Sequence, residues 1–309
     1  MRVVKLTVVI PSYRRPQDLL RCLAAVRGQQ RPADEVLVVL RREDEVAVSA
    51  TAELATTWPE FGTVFVGPSG QVGALNAGLD AATGDVMVIT DDDGEPDPDW
   101  LLRIEREYAD PKVAGVGGRD EQAGIDWERE TVGRVQWFGR LIGNHHVGIG
   151  GARDVDVIKG VNCSFRIAPL RTLRFDTRLR GAGAQVHWEL SLCLGLKRAG
   201  WRLRYDPAIR VRHHIGIRHD ADQLHRGRFD AEPQSNAVHN ETLALSEHLH
   251  GVRALAFVCW AVLVGTSSDP GLVQLPRVLV RDGRTAFARW GATMRGRRSG
   301  WRAGRRGRD

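Results

Sequence analysis

Four short apolar runs recur within the first 90 residues, each but the last followed by a stretch suited to a helix. This alternation narrows the accessible folds more than any other feature. Leu6 to Ile10, Val36 to Leu40, Val64 to Val66 and Val86 to Ile89 read as buried strands. Pro16 opens a first helix, with Leu19, Leu20, Leu23 and Val26 spaced three and four apart to give one core-facing side. A second helix is expected from about Val46 to Thr56 and a third within Gly70 to Ala82. The order β-α-β-α-β-α-β predicts an α/β fold, a Rossmann-like, mostly parallel sheet flanked by helices, with its ligand crevice at the carboxyl ends of the strands. Four segments meet at that edge: Pro11 to Pro16, the residues after Leu40, Gly70 to Asn76, and Thr90 to Gly94. Neither GxGxxG nor GxxxxGK[ST] occurs, so the dinucleotide and P-loop fingerprints are absent.

The fourth strand runs directly into Asp91-Asp92-Asp93. Crowded carboxylates repel one another by roughly 1 kcal/mol or more per pair, so they call for a cation. On an extended chain Asp91 and Asp93 point to one side and Asp92 to the other, and a hard divalent metal suits the first two. A solvated acidic turn is the other reading, since Asp-Gly and Pro-Asp-Pro are ordinary turn chemistry.

Farther on, Trp100 to Tyr108 reads as a helix, Val113 to Val116 as a strand, and 119 to 158 as an irregular flap whose His145-His146 pair reads as solvated. Order returns at Lys159 to Arg166, with a helix from about His187 to Arg198 and strands at Trp201 to Tyr205 and Ile209 to Arg212 leading into His213-His214. The four cysteines show no CxxC spacing, which argues against a zinc site or a disulfide framework and fits a reducing cytoplasm. The first apolar run ends at Pro11, too short for a signal peptide's core. Net charge is +6, and residues 295–309 alone carry seven Arg and one Asp, so the body is neutral and nucleic acid is not an expected partner.

The segments IPSYRR, LNAGLDAATGD, ITDDDGEPDPDWL, GVNCSFR and WELSLCLGLKRAGWRLRYDPAIRVRHH together resemble the family 2 glycosyltransferases of GT-A fold, in order over about residues 5 to 216. The resemblance implies transfer of a sugar, with inversion, from a nucleoside-diphosphate sugar to a hydroxyl of a glycan or lipid-linked acceptor, as in cell-envelope or exopolysaccharide biosynthesis. A divalent metal, Mn or Mg, would be held by Asp91, Asp93 and His213. Pro11, Tyr13, Arg14, Asn76 and Asp92 would lie along the donor, Trp100 beneath the site, and Asn162, Phe165 and Arg166 on the acceptor side.

Two departures stand out. Where relatives place an acid after the second strand to grip a base, this chain reads Leu40-Arg41-Arg42-Glu43-Asp44, leaving Glu43 or Asp44 to reach it. Where the family's catalytic carboxylate is expected, His187 stands, with Glu189 as runner-up. Imidazole accepts a proton at neutral pH. If residue 187 begins a helix, only one of the two can face the acceptor, because positions two apart diverge by about 200°. Competing readings are a catalytically silent nucleotide-sugar-binding module and a sugar-phosphate nucleotidylyltransferase, though the latter calls for a Gly-rich loop after the first strand and PSYRRP contains no Gly.

The expected organisation is a catalytic domain over 1–240, divided at 118/119 into nucleotide-sugar and acceptor halves, a helical extension over 241–294 and an Arg-rich tail over 295–309. Ala254 to Gly265 would span about 18 Å as a helix, short of the roughly 30 Å of a bilayer core, and so reads as a buried or an interfacial helix. Apolar residues interleaved with Arg over Leu272 to Met294, followed by the tail, suit an anionic membrane surface, placing the protein peripherally on the inner face of the plasma membrane.

Overall fold

In the computed structural model of the chain, which describes residues 4–67, 70–214 and 229–306, the expected alternation is present. It runs β1 (Leu6–Pro11), α1 (Pro16–Arg27), β2 (Glu35–Leu40), α2 (Glu45–Ala52), α3 (Leu54–Thr57), β3 (Phe61–Phe65), α4 (Gln71–Ala81) and β4 (Val86–Ile89). These four strands form a parallel run in the order β3-β2-β1-β4. Because side chains alternate across a strand, Val8, Ile10, Val86 and Val88 enter the core under α1, while Val9, Met87 and Ile89 enter the core on the opposite face, under α4. Helix α4 lies unusually close to the sheet: a Cβ at Gly78 would stand 2.5 Å from Val9 Cγ1, so only glycine permits the approach.

Beyond β4 the sheet becomes mixed. β5 (Gly94–Pro96), α5 (Trp100–Glu107) and β6 (Val113–Gln122) are followed by three two-residue strands, β7 (Arg134–Val135), β8 (Leu141–Ile142) and β9 (Arg153–Asp154). Then come β10 (Cys163–Arg166), α6 (Ile167–Leu173), α7 (Trp188–Arg198) and β11 (Arg202–His213). β10 inserts antiparallel between β4 and β6, and β11 runs parallel to β6 and antiparallel to β5. β11 joins two strands expected separately; a register shift between Asp206 and Arg210 carries it past Pro207. The result brings Asp93, just before β5, beside His213 at the end of β11.

The C-terminal part is helical: α8 (Ala231–His248), α9 (Gly251–Leu263), α10 (Leu275–Asp282) and α11 (Thr285–Arg306). The boundaries expected at 240/241 and 294/295 fall inside α8 and α11, so neither marks a structural break. Residues of the expected tail up to 306 belong to α11, which seats against α8 through Gly296, Gly300 and Gly304; a Cβ at Gly300 would stand 2.4 Å from the His239 carbonyl oxygen. The tail's Arg308 and Asp309, and the end of the resembling segment at residue 216, lie outside the described residues. Among the described residues no helix is long and apolar enough to cross a membrane.

Candidate functional site

Thr90 to Gly94 leaves the buried β4 and turns at once, which fans the three acids apart. Asp91, Asp93 and His213 each offer a ligand atom, all within 4.8 Å of one another. Two carboxylates and an imidazole form a hard oxygen and nitrogen donor set that fits Mn²⁺ or Mg²⁺. His213 is oriented from behind: Nδ1 lies 3.0 Å from Asp120 Oδ1, while Nε2 lies 3.2 Å from Asp93 Oδ1. Such a carboxylate on the far nitrogen fixes the tautomer of a metal-ligating imidazole. Burial lowers the His213 pKa, but the hydrogen bonds to Asp120 and Asp93 outweigh it and raise it to about 10, and a cation held at Nε2 would displace that proton. Asp120 is itself fully buried and paired with Lys159; burial favours its neutral form, yet His213 and Lys159 prevail and hold it below the usual carboxylate range.

Asp92 points the other way, as the strand alternation predicts, and it does not reach the cleft. Its side chain is fully buried, accepts a 2.7 Å hydrogen bond from Ser12 Oγ and pairs with Arg15. Burial outweighs Arg15 and pushes its pKa up to about 7. Arg15 also meets Asp93 Oδ2 at 2.8 Å, so one guanidinium ties the turn after β1 to the acidic turn. The expected contact of Asp92 with the donor is therefore replaced by a structural one.

On one side of the acids is a cavity of about 120 Å³ lined by Pro11, Tyr13, Arg15, Arg41, Gln71 and Asp91, among others. The guanidiniums of Arg14 and Arg41 lie 5.1 and 4.1 Å from the Tyr13 ring centroid. Asp44 is turned away: its carboxylate caps α2 at the Ala47 amide and accepts from the Arg14 amide, leaving Glu43 as the exposed acid of that loop. Asn76 is also elsewhere, its amide bonding the backbone of Phe175 in both directions.

On the other side is a larger cavity of about 510 Å³, whose lining includes Asp91, Lys159, His187, Glu189 and His213. His187 is the left-handed cap (φ 72°) before α7, outside the helix proper. That conformation, not foreseen in the sequence, lets His187 and Glu189 line the same cavity, so the two do not exclude each other. The partly buried Glu189 accepts from the Gly160 amide at 2.8 Å, and burial raises its pKa against the backbone amides that favour its charge.

The three residues expected on the acceptor side do not line this cavity. Asn162 accepts from Trp100 Nε1 and donates to the carbonyls of Arg119 and Ile209, Phe165 is in the core, and the Arg166 guanidinium donates to three backbone carbonyls at 2.7–3.1 Å. Trp100 is fully buried beneath the site as expected. His145, expected in solvent, is buried with Nε2 on the Val157 carbonyl oxygen, and burial lowers its pKa to about 4.

The loop at 180–186 connects the cavities to the C-terminal helices. Ala184 lines both cavities, the Gly183 carbonyl accepts from the Gln71 amide, and Gln185 Oε1 accepts from the Val72 amide. Asn240 of α8 holds the loop at both ends, bonding the backbone of Arg180 in both directions and the Val186 carbonyl.

The family model described as Glycosyl transferase family 2 matches residues 7–176. An uncharacterized glycosyltransferase of Nostoc sp. is 30% identical over 114 residues, 37% of this chain and 35% of that protein. The glycosyltransferase AglE of Haloferax volcanii is 27% identical over 118 residues, 37% of this chain and 39% of its own length. These matches thus span little more than a third of the relatives. Among solved structures, the mannosyltransferase PcManGT of Pyrobaculum calidifontis, in complex with GDP-Man and Mn²⁺, aligns with a TM-score of 0.53 at 19% identity, covering 98% of this chain and 74% of that one. TarS of S. aureus, in complex with UDP-GlcNAc, aligns with a TM-score of 0.59 at 13% identity, covering 98% and 92%. GalNAc-T7, with UDP, GalNAc and Mn²⁺, gives 0.60 at 13%, covering 79% and 48%. These likenesses show the GT-A fold.

Proposed function

The chain belongs to glycosyl transferase family 2, and on that premise we propose that it transfers a sugar from a nucleoside-diphosphate sugar, with inversion, to a hydroxyl of a glycan or lipid-linked acceptor. The observation that carries this reading is the placement of the acids: Asp91 lines both cavities, and Asp93 and His213 stand beside it. The smaller cavity would take the nucleoside diphosphate, with Tyr13 and Arg41 toward the base and Arg15 holding the acidic turn. Asp91, Asp93 and His213 would hold a divalent cation, Mn²⁺ or Mg²⁺, whose charge offsets that of a departing diphosphate. Complexes of similar folds with GDP-Man and Mn²⁺ support both donor and metal.

In the larger cavity His187 is the first candidate to take the acceptor's proton as its oxygen attacks, with Glu189, its pKa raised by burial, the second. Lys159 is turned to Asp120 and stabilises the carboxylate behind His213. A catalytically silent module would keep the donor cavity without turnover. A nucleotidylyltransferase would form, not consume, a nucleotide sugar.

A place at an anionic membrane surface, on its inner face, is part of this reading. Val252, Leu255, Val273, Val280 and Phe287 expose 56–91% of their surface on and around α9, α10 and the start of α11. The test is donor turnover by the full chain with Mn²⁺, beside Asp91→Asn and Asp93→Asn. The reading expects loss of activity in both variants with unchanged unfolding midpoints; full turnover by either variant in chelator overturns it.

A further inference from the structure

Among the described residues many guanidiniums have an acid: Arg31, Arg178, Arg202, Arg204 and Arg297 all meet carboxylates. One concavity gathers four that do not. It measures about 360 Å³ and is lined by Arg180, Arg295, Arg298, Ser299, Arg302 and Ala303. Among the described residues none of its four arginines has a carboxylate within 4.0 Å. Positions 295, 298 and 302 recur on one face of α11, and Arg180 arrives from the loop before α7, with Nη1 3.4 Å from Ser299 Oγ. Four like charges converging on one hollow oppose one another by roughly 1 kcal/mol per close pair, even in water. The fold nonetheless holds them there, because the glycines of α11 lock it on α8 and Asn240 of α8 anchors Arg180 through its backbone.

We propose that this cleft is a phosphate-binding site for a phosphate or diphosphate group, taken up from a soluble diphosphate or from an anionic lipid headgroup. The planar fork of a guanidinium pairs two donors with two phosphate oxygens, and several such forks around one hollow suit a multiply charged phosphate better than a single carboxylate. The site lies apart from the two cavities of the transfer reading and does not depend on it. Arg180 nevertheless belongs to the same loop whose Ala182 to Ala184 line the donor cavity, so an anion in the cleft would draw on a segment that the donor touches.

The test uses the full chain in chelator, which removes metal-dependent binding at the acids. Inorganic pyrophosphate is titrated by calorimetry, and flotation is measured on vesicles containing phosphatidic acid, at low salt. Arg298→Glu with Arg302→Glu is compared with Arg106→Glu with Arg140→Glu, an equal charge change at exposed sites outside the cleft. Binding of either probe, weakened ~10-fold or more by the cleft pair and little by the control pair, supports the site, and the probe that binds identifies the source. Arg298→Gln with Arg302→Gln gives a smaller loss if reversal disturbs the helix. Absence of binding to both probes, or equal weakening by the two charge-reversed pairs, overturns the proposal.

Discussion

Replacing Arg297 with Met should destabilise the C-terminal helices more than any surface change. The Arg297 side chain is 7% exposed, and its Nη1 donates to Glu241 Oε2 and, at 3.0 Å, to Thr242 Oγ1; its guanidinium lies 5.5 Å from the Phe257 ring centroid. Glu241 is 9% exposed, and although burial raises its pKa, Arg297 and His187 hold it below the ordinary value. Removing the cation leaves a buried carboxylate without compensation, at a cost of about 3–5 kcal/mol. With a urea slope of roughly 3 kcal/mol per M, the midpoint falls by about 1 M or more. Arg297→Met combined with Glu241→Leu removes both charges and should recover most of the loss, since apolar replacement of a buried pair is often neutral. In the single variant the Glu241 pKa rises above its unfolded value, so the deficit is full near pH 8 and shrinks as pH falls toward about 4.3. Urea unfolding of wild type, both single variants and the double variant, at pH 8 and pH 5, measures each term. A single-variant loss under about 1 kcal/mol, or a double variant as unstable as the sum of the singles, refutes the reasoning. Because Asn240 is adjacent to Glu241, the same variant should also weaken donor binding through the 180–186 loop.

Two further outcomes are expected. His187→Ala should lower turnover ~10²-fold or more with little change in donor affinity, measured as kcat against KM; if Glu189→Ala gives that loss instead, the base is Glu189. His145 has a folded pKa of about 4 against about 6.5 unfolded, so the unfolded chain binds the extra proton between those values. Its stabilisation is complete above about pH 6.5 and declines as pH falls toward 4, by about 3 kcal/mol; His145→Gln should flatten that part of the stability profile, and parallel profiles would contradict the assignment.

The parallel half of the fold and the acidic turn at Asp91 and Asp93 were legible because their signals are local, whereas His213 was set beside them only by the family resemblance. An apolar strand that ends in acids fixes both the buried side and the exposed turn, and Asp91 and Asp93 needed no distant partner to be placed. Asp120 and Arg15 were not legible: Asp120 meets His213 from 93 positions away, and Arg15 meets Asp93 from 78. The first ten residues of α8, before the expected helical extension, were missed because the helix is buried nearly all round, with Gln234, Asn240, Glu241 and Thr242 inside, and so shows no apolar stripe. The Arg and Gly of 295–306 read as a loose tail, although Gly at 296, 300 and 304 is the four-residue step of a close helix contact. Asn162, Phe165 and Arg166 carry a family motif, yet backbone bonding and core packing account for all three.

Asp91, Asp93 and His213 are proposed to join a cation to a nucleoside diphosphate at the meeting of two cavities. Thermal unfolding of the full chain with UDP, GDP and dTDP, each with and without Mn²⁺, tests it most directly, since a ligand that binds only the folded state raises its stability. The expected result is stabilisation by at least one diphosphate, dependent on Mn²⁺, and absent in Asp91→Asn and Asp93→Asn. Equal stabilisation with and without Mn²⁺, or its persistence in both variants, would rule out a cation held by these residues.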